Sequence, residues 1–98
     1  MSIDMKEFLN QTVKIMPNVL SQGVSGETVL LDLKGENYFG LDIIGTRVWQ
    51  LLQEQDDVQK IYGTMLEEYD VDAVQLQNDL SELIKKLVDA GLVETTGA

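Results

Sequence analysis

The segment from Gly40 to Arg47 is the stretch of the sequence that comes nearest to a known chemical motif. Gly40 and Gly45 enclose four residues, as the two glycines do in the phosphate-binding loop G-x-x-x-x-G-K-[ST]. In that loop a lysine precedes the hydroxyl residue, whereas here Thr46 precedes Arg47. Asp42 lies inside the loop, so a bound phosphate would meet a carboxylate as well as backbone amides. We therefore do not expect this segment to bind a nucleotide.

Four carboxylates, at Glu67, Glu68, Asp70 and Asp72, form a second candidate site, because divalent cations prefer hard oxygen ligands. Their spacing lacks the glycine at the turn and the bidentate glutamate of a calcium-binding loop. We interpret them as the end of one helix, a loop and the N-cap of the next helix. The sequence therefore predicts no metal site here.

Covalent and acid–base catalysis lack their usual side chains in this sequence. It contains no Cys and no His, which excludes a thiolate nucleophile, an imidazole base and a zinc site built by this chain alone. No serine stands in a G-x-S-x-G nucleophile motif. We expect a protein with no catalytic activity and no cofactor of its own.

The charge balance limits the kinds of partner. The 98 residues include 17 acidic and 7 basic side chains, for a net charge of −10, whereas nucleic-acid binding normally needs a basic patch. No apolar stretch approaches the roughly 20 residues of a membrane span, and the acidic N-terminus does not suit a signal peptide. We expect a cytoplasmic, soluble protein that binds neither nucleic acid nor membrane. Its partner should be neutral or basic.

These side chains must be positioned by a small domain, and the residue pattern of its first half predicts strands. The strands are predicted at Val19–Val24, 27–33 and 36–41, separated by the turn pairs Ser25-Gly26 and Lys34-Gly35. Such short turns predict an antiparallel meander, which leaves its third strand at an edge. Val29, Leu31 and Leu33 share one face of the second strand, and we expect helices to cover the apolar face of the sheet.

The second half of the chain has the apolar period of three helices. Asp42 is predicted to cap the first helix, either Asp56 or Asp57 the second, and Asp72 the third, which ends at Gly91. The element order β-β-β-α-α-α predicts an α+β, winged-helix-like domain over 18–94. Residues 1–17 are expected to be weakly structured, and residues 95–98 to form a flexible tail.

Two aromatic segments could form a binding site. Trp49 lies beside the apolar stripe of the first helix, and we interpret it as a core anchor. In the third strand, Phe39 and Leu41 share one face, and Tyr38 and Gly40 share the other. The pattern leaves two interpretations open: an ordinary edge strand with a bulge at Gly40, or an edge to which another backbone binds.

An ordered set of residues over about 19–93 resembles the PqqD-like family. The set is Leu31-Asp32-Leu33, Tyr38-Phe39-Gly40-Leu41-Asp42, Gly45-Thr46-Arg47-Val48-Trp49-Gln50-Leu51-Leu52, Glu67-Glu68-Tyr69-Asp70-Val71-Asp72, Leu83, Leu87 and Ala90-Gly91-Leu92-Val93. This family includes the peptide chaperone of pyrroloquinoline quinone synthesis and the recognition elements of ribosomally made, modified peptides. A free-standing copy of this size looks most like the leader-binding protein of lasso-peptide pathways.

The resemblance implies a winged-helix-like, non-catalytic protein that binds the leader of a precursor peptide as an added strand. The partners it implies are this leader and a leader peptidase or other maturation enzyme, such as a cyclase. The implied peptide-binding residues are Glu36, Asn37, Tyr38, Phe39, Gly40 and Leu41 on the third strand, and Leu76, Asp79, Leu80 and Leu83 on the third helix. Two alternatives remain: a winged-helix DNA-binding regulator, and a structural subunit docked on a larger enzyme.

Overall fold

The computed structural model describes residues 8–96. The elements are β1 (Thr12–Ile15), β2 (Val19–Val24), β3 (Glu27–Asp32), β4 (Asn37–Leu41), α1 (Ile43–Glu54), α2 (Val58–Glu68), α3 (Ala73–Asp89) and β5 (Val93–Thr96). The predicted order of three strands followed by three helices is confirmed over β2 to α3. The short strands β1 and β5 lie on either side of this unit in the sequence.

The strands β2, β3 and β4 form an antiparallel sheet with β3 in the centre. Ser25 and Gly26 have φ angles of 52° and 84° and close the β2–β3 hairpin, which matches the twist of a primed two-residue turn. The third strand starts at Asn37, one residue later than predicted, because Glu36 has a φ of 57° and belongs to the preceding turn.

In β3, the face that packs against the helices is not the face of Val29, Leu31 and Leu33, which the sequence suggested. Val29 and Leu31 remain 40% and 39% exposed, whereas Leu30 is completely buried. Asp32 is also on the buried face, where its Oδ1 accepts hydrogen bonds from Asn18 Nδ2 at 2.8 Å and from the Lys34 amide at 3.1 Å. These bonds offset the cost of burying a carboxylate. Helices therefore cover one face of the sheet, as expected, but in β3 it is the face of Leu30 and not the face of Val29 and Leu31.

The predicted helix ends are largely confirmed. The Asp42 carboxylate accepts the Gly45 amide at 2.7 Å, and the Asp57 carboxylate caps α2. Asp72 stands at the N-cap of α3 but makes no side-chain cap hydrogen bond. At the other end of α3, Gly91 has a φ of 75° and the chain turns back towards the core.

The strands β1 and β5 join the two ends of the described chain. They pair antiparallel, with Val13 opposite Thr95, and the Val13 amide also donates to the Asp56 carbonyl at 2.8 Å. Val13 and Phe8 are buried in the core, although both lie in the segment expected to be weakly structured. β5 likewise extends to Thr96, inside the expected tail, because β1 supplies a hydrogen-bonding partner.

One apolar core lies between the inner face of the sheet and the three helices. Trp49 is 3% exposed, which confirms its prediction as a core anchor. The other buried apolar residues are Phe8, Val13, Leu30, Leu41, Val48, Leu51, Leu52, Val58, Ile61, Met65, Leu76, Leu80, Ile84, Leu87, Leu92 and Val93. Between residues 8 and 96, none of the helices has both the length and the apolar character needed to cross a bilayer.

Candidate functional site

The edge of β4 carries backbone groups that no neighbouring strand of the sheet uses. The Leu33 amide donates to the Asn18 carbonyl at 3.0 Å, and these residues continue the β2–β3 register. Hydrogen-bonded and non-hydrogen-bonded pairs alternate along an antiparallel ladder, so alternate residues of β3 bond to β2 and the others bond to β4. Applied to the β3–β4 register, this alternation points the amides and carbonyls of Tyr38 and Gly40 towards the open edge.

A groove runs beside this edge, between β4 and α3, with a volume of about 350 Å³. We call it the edge groove. Its walls are formed by Phe39, Gly40, Leu41, Asp42, Ile44, Gly45, Asp79, Leu83 and Lys86. The strand β2 also has an open edge. The edge of β4 is distinguished because a helix lies beside it and leaves space for the side chains of an added strand.

A smaller, mainly apolar hollow of about 130 Å³ adjoins the edge groove, and the two share Ile44, Asp79 and Leu83. We call it the interhelical hollow. It is lined by Ile44, Val48, Met65, Tyr69, Val71, Gln75, Leu76, Asp79, Leu80 and Leu83. Its shape and lining suit an apolar side chain that enters from a strand lying in the edge groove.

The polar groups around the groove carry both signs of charge. The Asp79 carboxylate accepts a hydrogen bond from Gln75 Nε2 at 2.9 Å, one turn earlier on α3. Lys86 lines the same groove two turns further along the helix. The groove thus offers an acceptor and a donor to a peptide, as well as the backbone edge.

The structure brings together part of the predicted set of site residues. Phe39, Gly40 and Leu41 line the edge groove together with Asp79 and Leu83, while Leu76 and Leu80 form the floor of the interhelical hollow and also belong to the core. The remaining members of the set lie elsewhere: Glu36 and Asn37 line neither cavity, and the Tyr38 side chain, 79% exposed, lies on the outer face of the sheet. The assignment of all ten residues to peptide binding stays a prediction.

The lining residues that were not assigned to the site from the sequence include Ile44, Tyr69, Val71 and Lys86. Ile44 and Val71 are large apolar side chains that remain exposed, one in the first turn of α1 and the other in the α2–α3 loop. An apolar residue next to a helix cap is a weak signal that could have been used. Tyr69 and Lys86 gave no such signal, because their position depends on how the helices pack.

In each of the two segments considered for anions and cations, one carboxylate already forms a contact within the protein. Asp42 caps α1 where a phosphate would have to bind, and Arg47 forms a two-point ion pair with Glu68, with Nε 2.7 Å from Oε1. This guanidinium holds the pKa of Glu68 below its usual range, and the hydrogen bond to Glu68 raises the pKa of Arg47. Within residues 8–96, no group of three or more side chains is placed to hold a metal ion.

A winged-helix-like α+β frame with an open strand edge beside a helix defines a class of small domains suited to strand addition. A family model described as "Coenzyme PQQ synthesis protein D (PqqD)" matches residues 27–93. The chain belongs to the PqqD family, as its resemblance suggested. No curated protein matches it.

Two solved structures are similar to this chain. The first, "TbiB1 in Complex with the TbiA(beta) Leader Peptide", is 37% identical in sequence, with a TM-score of 0.78, and the match covers 83% of this chain and 94% of the other. The second, "Lasso peptide synthetase B1 complexed with the leader peptide", is 21% identical, with a TM-score of 0.69, and the match covers 85% of this chain and 98% of the other. The second similarity supports the fold alone.

Proposed function

We propose that this chain is a non-catalytic recognition protein that binds the leader segment of a ribosomally made precursor peptide as an added strand on β4. The observation that carries the proposal is the open backbone edge at Tyr38 and Gly40, with the edge groove beside it. The 37% identity to TbiB1, which was solved with a leader peptide, supports the same function.

Strand addition would divide affinity and selectivity between two kinds of contact. The two amides and two carbonyls of Tyr38 and Gly40 would pair with the leader backbone whatever its sequence. Alternate side chains of the leader would point into the edge groove and reach the interhelical hollow, and those between them would lie on the outer face, beside Tyr38. The leader is therefore expected to carry an apolar residue at an inward position.

The chemical steps on the precursor would belong to partner enzymes. The site supplies backbone pairing, apolar contact and two charged side chains, Asp79 and Lys86, which suit binding. We infer that the chain presents the bound leader to a leader peptidase, a cyclase or a similar maturation enzyme in the cytoplasm. The net charge of −10 would favour a leader with Lys or Arg near its anchoring residues.

Amide hydrogen exchange tests the proposal at single residues. The probe is the leader of the precursor peptide encoded next to the gene for this chain. In the free protein the amides of Tyr38 and Gly40 should exchange rapidly, whereas those of Phe39 and Leu41 are already bonded to β3. Saturating leader should protect Tyr38 and Gly40.

The open edge of β2 provides the internal control, because the same alternation directs the Ser21 and Gly23 amides away from β3. Their exchange should not change when the leader binds. Tight binding without new protection at Tyr38 and Gly40 would contradict strand addition on β4. A gene neighbourhood without any precursor peptide would contradict the proposed function itself.

A further inference from the structure

Lys86 is the one cation among the residues that line the edge groove. The other ionisable residues there are Asp42, whose carboxylate accepts the Gly45 amide at 2.7 Å, and Asp79, whose carboxylate accepts a hydrogen bond from Gln75. The chain as a whole carries a net charge of −10. Lys86 therefore favours a ligand group that the rest of this acidic surface repels.

The ammonium group of Lys86 is available to a ligand. Lys86 is exposed, and over residues 8–96 the ion pair that forms joins Arg47 to Glu68. Glu82 precedes Lys86 by four residues, a spacing that suits a helical ion pair, but these two side chains do not form one. A carboxylate of a bound peptide would thus reach Lys86 without displacing an ion pair among residues 8–96.

The open edge by itself does not fix which leader residues lie in the groove. Tyr38 and Gly40 offer backbone groups that pair with any sequence. If the leader slips by two residues, it keeps the same backbone hydrogen bonds and the same set of inward side chains. The interhelical hollow is mainly apolar and accepts apolar side chains of several kinds. A charged contact at one place in the groove would distinguish the correct register from a slipped one.

The spacing along α3 indicates where the complementary charge should lie on the leader. Asp79 lines both the edge groove and the interhelical hollow, whereas Lys86 lines the groove alone. Seven residues of helix separate them by about 10 Å and leave both on one face. Inward side chains of a strand recur about every 7 Å. A side chain opposite Lys86 is therefore two or four residues from one that enters the hollow beside Asp79.

We propose that Lys86 fixes the register of the bound leader by pairing with one Asp or Glu of the leader. This residue lies two or four positions from the apolar leader residue that fills the interhelical hollow. The correct register forms a charge-assisted hydrogen bond, and a slip by two residues removes it. The proposal rests on the proposed function, because the leader supplies the carboxylate. It differs from steering by the net charge, which acts on the leader as a whole.

The variants Lys86→Glu and Lys85→Glu form a matched pair. Each replaces one exposed lysine of α3 with glutamate and changes the net charge by the same amount, but Lys85 lines a different hollow, with Ile84 and Val88. The probes are the leader described above and a set of its variants in which each Asp or Glu is changed singly to Lys. The anchoring residue is the apolar leader residue whose change to Ala weakens binding most.

Anisotropy titrations at about physiological ionic strength measure the Kd of each combination, because distant charges are then largely screened. Lys86→Glu should raise the Kd for the natural leader at least ~10-fold, and Lys85→Glu should change it by less than about 2-fold. One leader variant, with its Lys two or four positions from the anchor, should bind Lys86→Glu better than the natural leader does. The same leader variant should bind the parent and Lys85→Glu less well.

Equal effects of the two lysine variants, or the lack of any leader variant that restores binding to Lys86→Glu, would overturn the role of Lys86 and leave leader binding intact. A leader without Asp or Glu at the stated spacing would overturn it as well. A parent protein that does not bind the leader at all would instead refute the proposed function.

Discussion

A proline at Gly40 would remove one of the two open-edge amides without removing a hydrogen bond of the free protein. The Gly40 amide points away from β3, and a Cβ atom built on Gly40 meets no atom within 4 Å. Proline is tolerated on edge strands where its missing N–H faces outwards. The Gly40→Pro variant should therefore fold, while its ring occupies the position from which the amide donates to the leader.

The loss can be estimated from the contacts removed. One net backbone hydrogen bond is worth about 1 kcal/mol, and leaving the leader carbonyl unpaired adds about 1 kcal/mol or more. A total of about 2 kcal/mol corresponds to a roughly 30-fold higher Kd. Part of the leader affinity should remain, because the edge groove and the interhelical hollow are unchanged.

The Gly23→Pro variant is the matched control on the opposite edge. Gly23 lies on β2 opposite Thr28, its amide also points outwards, and an added Cβ would come no closer than 3.9 Å to the Glu27 carbonyl oxygen. Both variants should unfold cooperatively. Anisotropy titrations with labelled leader should show the weaker binding for Gly40→Pro alone. Equal affinities for both variants and the parent would refute strand addition at β4, and equal losses would point to a general effect on the sheet.

Three further predictions test the core, the net charge and the ion pair between Arg47 and Glu68. Trp49→Ala should lower the free energy of unfolding by about 3–5 kcal/mol, with leader affinity unchanged at temperatures where it stays folded; a normal melt with lost binding would contradict the core assignment. Raising the salt to about physiological strength should slow leader association more than it speeds dissociation in stopped-flow measurements, and a flat association rate would exclude electrostatic steering. Because Arg47 depresses the pKa of Glu68 in the folded state, the pair stabilises the fold above the unfolded-state pKa and loses this effect as the pH falls. The Tm difference between Glu68→Gln and the parent should thus shrink between pH 7 and roughly pH 3; a constant difference would show that the charge of Glu68 is not responsible.

The resemblance to the PqqD family and the physics of the strands contribute different parts of the site. The resemblance implied a peptide site on the third strand and third helix, and the structure has an open edge at that strand and a groove between the strand and the helix. The register adds that Tyr38 and Gly40, and not their neighbours, present the free backbone groups. The sequence predicts that residues 38–41 alternate in direction. It does not show which of their backbone groups point towards β3 and which point to the open edge.

The sequence by itself determined the local features of the fold. The Asp42 cap, the Ser25-Gly26 turn and the end of α3 at Gly91 were predicted and are present. The cap of α2 was predicted at Asp56 or Asp57, and Asp57 forms it. Each depends on contacts between residues a few positions apart, so the residue types in a short window are sufficient. The absence of His and Cys and the charge of −10 likewise follow directly from composition.

The tertiary structure alone decided which faces and which distant segments meet. Alternation divides β3 into two sets of side chains, but the packing of the helices buries Leu30 and Asp32 and leaves Val29 and Leu31 exposed. A period of two defines these two sets of side chains but does not show which set faces the core. Asp32 could be buried because Asn18, distant in sequence, donates to its carboxylate. The pairing of β1 with β5 has the same origin, since its hydrogen bonds join opposite ends of the chain and no local pattern specifies them.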